Sequence, residues 1–327
     1  STLSSSSAAS DVYKRQGTYT VNNNIFGMLR GSADNTYQAQ LAGLTGMALS
    51  IHNGTGGVNN VTNDGLIQGK ALNQGNRASA DIAAVAIYGG GVTSFNNTTS
   101  GIIAGRVAFE SAGPVLGNRF TNAGTINGSV SLGANSKNTF VAESGSIIDA
   151  DSQTTGTITV ANVAGLLFAA PGTVDGGAGG TNSLIFADTA NRGAETSVAP
   201  GTYLNFNSLT VTGGTWSLSG GALMPPGSSI ALNGGTVLVD SSGSLSTGVI
   251  SAAGGGVGAS SAGVSVGNTF TLGAGGLTAG GTNDFTLSGL LTGTGGLRVA
   301  STGVVTLTGA NDYTGGTTVV TLSLIHI

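Results

Sequence analysis

Apolar-x-apolar triplets separated by glycines recur along the second half of the chain. They include Ile158/Val160, Leu184/Phe186, Leu204/Phe206, Leu209/Val211, Trp216/Leu218, Ile230/Leu232, Val237/Val239, Phe270/Leu272 and Phe285/Leu287. Alternation with a period of two is the mark of half-buried β-strands, and the glycines bound them as turns. The stretch 292–319 repeats the pattern most tightly, with short strands expected at Leu297–Val299, Val305–Leu307 and Thr317–Val319. Strand plus turn takes about eight residues there. That suits one coil of a β-solenoid, in which each coil stacks on the next, better than a sandwich strand with long loops.

The first half carries a second repeat. Val61-Thr-Asn63-Asp-Gly65-Leu-Ile67-Gln-Gly69 matches Phe120-Thr-Asn122-Ala-Gly124-Thr-Ile126-Asn-Gly128. Thr99-Ser-Gly101-Ile-Ile103-Ala-Gly105 shares its core, and Ser144-Gly145-Ser-Ile147 is a decayed copy. The glycines at 65, 101, 124 and 145 lie 36, 23 and 21 residues apart. The first interval implies an inserted loop, placed at Lys70–Ala80. In each full copy the asparagine is expected to turn the chain by bonding its own backbone, while the isoleucine points inward. Neither a linker nor a helical pattern divides the halves, so 17–321 reads as one continuous solenoid of roughly 14 coils. Asp188–Pro200 is expected to leave the stack as a loop, and Ser251–Gly263, poor in large side chains, to form a loop or a poorly packed coil.

The spacing G-x-G-G-L-x-V-x(3)-G-x-V-x-L-x-G-x-N-x-Y-x-G-x-T-x-V across 292–319 resembles the passenger-associated repeat of bacterial autotransporters (type V secreted proteins). The resemblance implies a right-handed parallel β-helix, all-β, lying between a signal peptide and an outer-membrane β-barrel translocator of the same polypeptide. It also implies display or release at the surface of a Gram-negative bacterium, with adhesion to a host-cell or matrix ligand as a typical role.

The two end segments have a different origin in this reading. Asp11-Val-Tyr-Lys-Arg-Gln16 is encoded by GAT GTG TAT AAG AGA CAG, whose reverse complement encodes Leu322-Ser-Leu-Ile-His-Ile327. That string resembles a transposase adapter from sequencing libraries, so residues 1–16 and 322–327 are expected to be artefacts.

Composition narrows the function classes. Only 7% of residues are charged and the mean hydropathy is +0.25, the reverse of a disordered chain. There are 59 glycines without a period of three, which excludes collagen. Charges thin along the chain, from thirteen in 17–151 to eight in 152–321, leaving Ser, Thr, Asn and Gly as the polar surface. The net charge of −4 and the scattered basic residues argue against nucleic acid as a partner. Cysteine is absent, so neither a disulfide framework nor a thiolate metal site can form.

Catalytic motifs are few. Gly263-Val-Ser265-Val-Gly267 has the form of a nucleophile elbow, which needs a strand-to-helix turn and a histidine base. His52 is the histidine outside the end hexapeptides, and no helix is expected after Ser265, so a plain strand between glycines is the better reading. Asp149 and Asp151, two apart, would share a strand face about 7 Å apart, within reach of an inverting glycosidase pair, but a solvated turn suits them better. Asp175-Gly-Gly-Ala-Gly-Gly-Thr-Asn182-Ser-Leu184 approximates the calcium nonapeptide, with Thr181 in the aspartate's place. His52 itself reads as a surface or loop residue. The expectation is therefore a non-catalytic rod of stalk or adhesin type without cofactor, metal or catalytic residues. The alternatives are the stalk of a protease or lipase passenger whose catalytic domain lies upstream, or a polysaccharide-cleaving β-helix.

Overall fold

The computed structural model describes residues 2–4, 10–13, 17–24, 28–30, 48–69, 83–149 and 166–320. Among them there is no helix, and the strands build parallel sheets stacked as a β-solenoid of about 10 turns. The chain forms two compact units, one mainly before Asn182 and the other mainly after it. Thr2–Ser4 pairs with Thr18–Asn23, and Ser10–Tyr13 with Leu49–His52, so part of the first end segment lies in strands.

In the first unit, Thr18–Asn23, Val58–Asn63, Val92–Asn97 and Arg119–Asn122 stack as one parallel face. Strict alternation sends Val21, Val61, Phe95 and Phe120 inward, all in register and all buried. A second face aligns the predicted repeats: Ile67 pairs Ile103, Ile103 pairs Ile126 and Ile126 pairs Ile148. The first three isoleucines are fully buried, each contributing about 1.5–3 kcal/mol of apolar burial. Ile102–Phe109 pairs Leu66–Gln68 with its first half and Ala83–Tyr88 with its second. Between the two halves lies Gly105, whose φ of 129° favours glycine. Beneath it, Gly128 lies so close that a Cβ would meet the Gly105 carbonyl oxygen at 2.0 Å.

Aromatic rings continue the inward column of the first face. Phe95 and Phe120 stack at 4.7 Å with planes 4° apart, and Phe120 continues to Phe140 at 5.6 Å. Phe140 then tilts against Tyr203 at 5.8 Å. Such pairs add about 0.5–1.5 kcal/mol each beyond area burial.

Turns are longer here than the sequence spacing suggested. Successive asparagines of one column stand 40, 34 and 25 residues apart, which brings the number of turns down from fourteen to about ten. Lys70–Ala80 and Ile158/Val160 lie outside the described residues.

The second unit is more regular. Leu209 pairs Ile230, then Ile250, Phe270 and Leu291 follow in register at intervals of 20 or 21 residues, all buried. A third face stacks Val264–Val266, Phe285–Leu287 and Val305–Leu307. The expected strands of 292–319 are present as Leu297–Ser301, Val305–Leu307 and Thr317–Val319. At one corner, glycine pairs pile on one another: 213–214, 234–235, 254–255, 275–276, 295–296 and 315–316. Their backbones nearly touch, and a Cβ on Gly275 would meet the Ala253 carbonyl oxygen at 2.3 Å.

Two sequence expectations fail in this unit. Ser251–Gly263 is not a poorly packed excursion: Ile250–Ala252 and Gly256–Ala259 are strands, and Val257 is fully buried. Small residues are what the site demands, because a Cβ on Gly258 would meet the Gly280 oxygen at 2.1 Å. Asp188–Pro200 does not leave the stack either, since Glu195–Val198 pairs with Ser208–Leu218 and sets Thr196 beside Trp216. In the triplet Leu204/Phe206, Leu204 faces solvent and the neighbouring Tyr203 is buried instead.

Candidate functional site

Ser265, His52 and Asp149, from the motifs with catalytic form, all lie on strands. Ser265 sits mid-strand between buried Val264 and Val266, its Oγ 2.9 Å from Ser288 Oγ, and the chain continues into another strand at Phe270–Leu272. His52 ends the strand Leu49–His52 and stacks on Tyr88 at 4.8 Å, half-buried in its own sheet. Asp149 is exposed and lies in register with Asn127, and Asp151 lies outside the described residues.

The nonapeptide-like segment is an asparagine-held turn. Asp175 Oδ1 accepts from Gly177 N–H and from Asn205 Nδ2, each at 2.8 Å. Asn182 is fully buried, donates to the carbonyls of Gly177 and Asn205 and accepts from Asn138 N–H. Among the described residues no group of three His, Asp or Glu side chains converges. The turn after Asp188 is built similarly, with its carboxylate accepting from the backbone N–H groups of Arg192 and Gly193. Arg192 Nη1 donates to the Ser144 carbonyl at 3.2 Å, and Glu143 accepts from Thr189 N–H. A shallow cleft of about 280 Å³ opens between Ser242, Ser246, Thr247, Asn268 and Thr269, where Asn268 Nδ2 donates to the Ser246 and Gly248 carbonyls.

Two polar arrangements were missed from sequence, and both lie on the same face of the first unit. The inward one is a ladder of four buried asparagines, Asn23, Asn63, Asn97 and Asn122. Nδ2 of each donates to Oδ1 of the next, at 2.7, 2.8 and 2.8 Å, and Asn122 ends the series on the Ile147 carbonyl. These amides therefore bond across turns, where local turn formation was expected.

The outward arrangement alternates with it along the same strands. Thr20 pairs Asn60, Asn60 pairs Ser94 and Ser94 pairs Arg119; two residues on, Asn22, Thr62, Asn96 and Thr121 pair likewise. All eight are exposed or half-exposed. Amide and hydroxyl exchange places at each turn, giving a checkerboard about 4.8 Å between strands and about 7 Å along them. Its sequence signal was present in Val58-Asn-Asn-Val-Thr-Asn63 and Val92-Thr-Ser-Phe-Asn-Asn97, which align once the register is known.

Searches of protein-family models, curated proteins and solved structures find no match to this chain.

Proposed function

We propose that the chain is a non-catalytic segment of an autotransporter passenger, a stalk or adhesin-type rod carried outside a Gram-negative cell. The reading rests on one observation above others: the fourteen-position repeat pattern of 292–319 is laid on three short strands of a parallel solenoid with glycines at its turns. Low charge and the absence of cysteine suit a chain that crosses membranes unfolded and then stacks coil on coil. In this role the solenoid is a scaffold and contacts are made by what it displays.

The test is expression of the complete reading frame in a Gram-negative host, with protease added to intact cells. The reading expects the segment to be cleaved from outside or released into the medium. A segment that stays protected inside intact cells contradicts it. Sequence upstream of residue 17 separates the adhesin from the enzyme stalk: further coils favour the first, a Ser-His-Asp domain the second.

A further inference from the structure

The outward checkerboard is built differently from the rest of the polar surface. The inward asparagines are bonded to one another, but among the described residues the side chains of Thr20, Asn22, Asn60, Thr62, Ser94, Asn96 and Thr121 have no hydrogen-bond partner within the chain. Seven donor–acceptor groups are thus held in an in-register array with their bonding capacity directed outward. A neutral amide offers two donors and an acceptor, and a hydroxyl offers both roles. Arg119 fills the amide place in the fourth turn with a planar fork of donors.

We propose that this face binds a neutral, extended polysaccharide chain lying across the strands, one sugar to each turn. Three features select that partner. The strand spacing of about 4.8 Å is close to the advance of one β-1,4-linked pyranose. Successive sugars in such a chain are turned over, so its chemical repeat covers two units; the exchange of amide and hydroxyl positions likewise repeats every second turn. Beside the ranks, Val58 (39% exposed) lies in register with half-buried Val92, an apolar strip for the C–H faces of the rings. With no aromatic side chain among these ranks to stack a ring, each sugar binds weakly and affinity builds with chain length. The assignment does not depend on where the protein is displayed.

The experiment titrates the full chain with β-1,4-linked glucose oligomers and N-acetylglucosamine oligomers of two to six sugars, followed by saturation-transfer NMR. Binding to at least one series should strengthen by about tenfold from the shortest oligomer to the longest. Asn60→Ala with Asn96→Ala should weaken the longest oligomer by about tenfold, with thermal melting unchanged because both side chains face solvent. Ser251→Ala with Thr271→Ala, on exposed positions of the second unit, should leave binding as it was. Absence of length-dependent binding in both series overturns the proposal, as does equal binding by the Asn60/Asn96 variant. Inhibition of ice growth without glycan binding overturns it too, since the hydroxyl array would then be matching a water lattice.

Discussion

Asn63 and Asn97 sit in adjacent turns, fully buried, with Nδ2 of the first donating to Oδ1 of the second at 2.8 Å. The bond is one rung of a ladder with a direction, because every amide donates toward the later turn, and Asn63, Asn97 and Asn122 each accept from the earlier one. Asn23 begins the series with a buried Oδ1 that has no hydrogen-bond partner among the described residues. Slipping the turn of Asn63 or Asn122 by one residue would put Thr62 or Asp64, or Thr121 or Ala123, in the rung and leave the neighbouring amides unsatisfied; at Asn23 and Asn97, each preceded by another asparagine, a slip would also turn the buried Val21 or Phe95 outward. The ladder therefore fixes register as well as contributing stability.

Replacing Asn97 by Leu leaves the Asn63 donor and the Asn122 acceptor facing an aliphatic chain. The expected cost is about 2–4 kcal/mol, read as a fall in the urea midpoint. Asn23→Leu, which strips a partner from one neighbour in the ladder instead of two, should cost less.

Phe120 lies between Phe95 and Phe140 in the ring column. Phe120→Ala should destabilise by about 3–5 kcal/mol and Phe120→Leu by distinctly less, since leucine refills most of the volume. Both are checked by denaturant unfolding.

The strands were largely legible in the sequence because alternation is local: the Gly-x-Ile copies at 65–67, 101–103 and 124–126 stack in the register their motif suggests. What escaped is set across turns. The asparagine columns depend on pairings 25 to 40 residues apart, and no local rule separates an inward from an outward asparagine in Val58–Asn63. Ser251–Gly263 was misjudged for a related reason, since a scarcity of side chains resembles a loop until a neighbouring backbone is seen against it. The glycine pairs between 213 and 316, recurring at 20 or 21 residues, were the available signal.

Glycines at the crowded corners should not tolerate a methyl group. Gly258→Ala should destabilise by at least about 1–3 kcal/mol, because its Cβ would fall 2.1 Å from the Gly280 oxygen. Gly243→Ala, with nothing within 4 Å, should be neutral or stabilise by up to about 1 kcal/mol. Thermal melting of the pair gives the comparison directly.

Burial of Tyr203 pushes its phenol pKa well above the ordinary value of 10.0. Below that value the phenol is protonated in both states and stability is unaffected by it. Above pH 10 the unfolded phenol ionises while the folded one stays neutral, so the unfolded state binds fewer protons and stability falls as pH rises. Tyr203→Phe should flatten this alkaline decline in urea titrations between pH 9 and pH 12; an unchanged slope would remove the assignment.

The account rests on successive turns pairing in parallel, residue against residue, and a chain without cysteine allows this to be measured by engineered disulfides. Thr62 is the register partner of Asn96 and sits diagonally from Ser94. Neighbouring strands bring paired Cα atoms to about 5 Å, within disulfide reach, and diagonal ones to about 8 Å, beyond it. Under mild oxidation Thr62→Cys with Asn96→Cys should close to a disulfide nearly completely, and Thr62→Cys with Ser94→Cys should remain free. Closure of the diagonal pair with the register pair left reduced would contradict the stacking on which everything else is built.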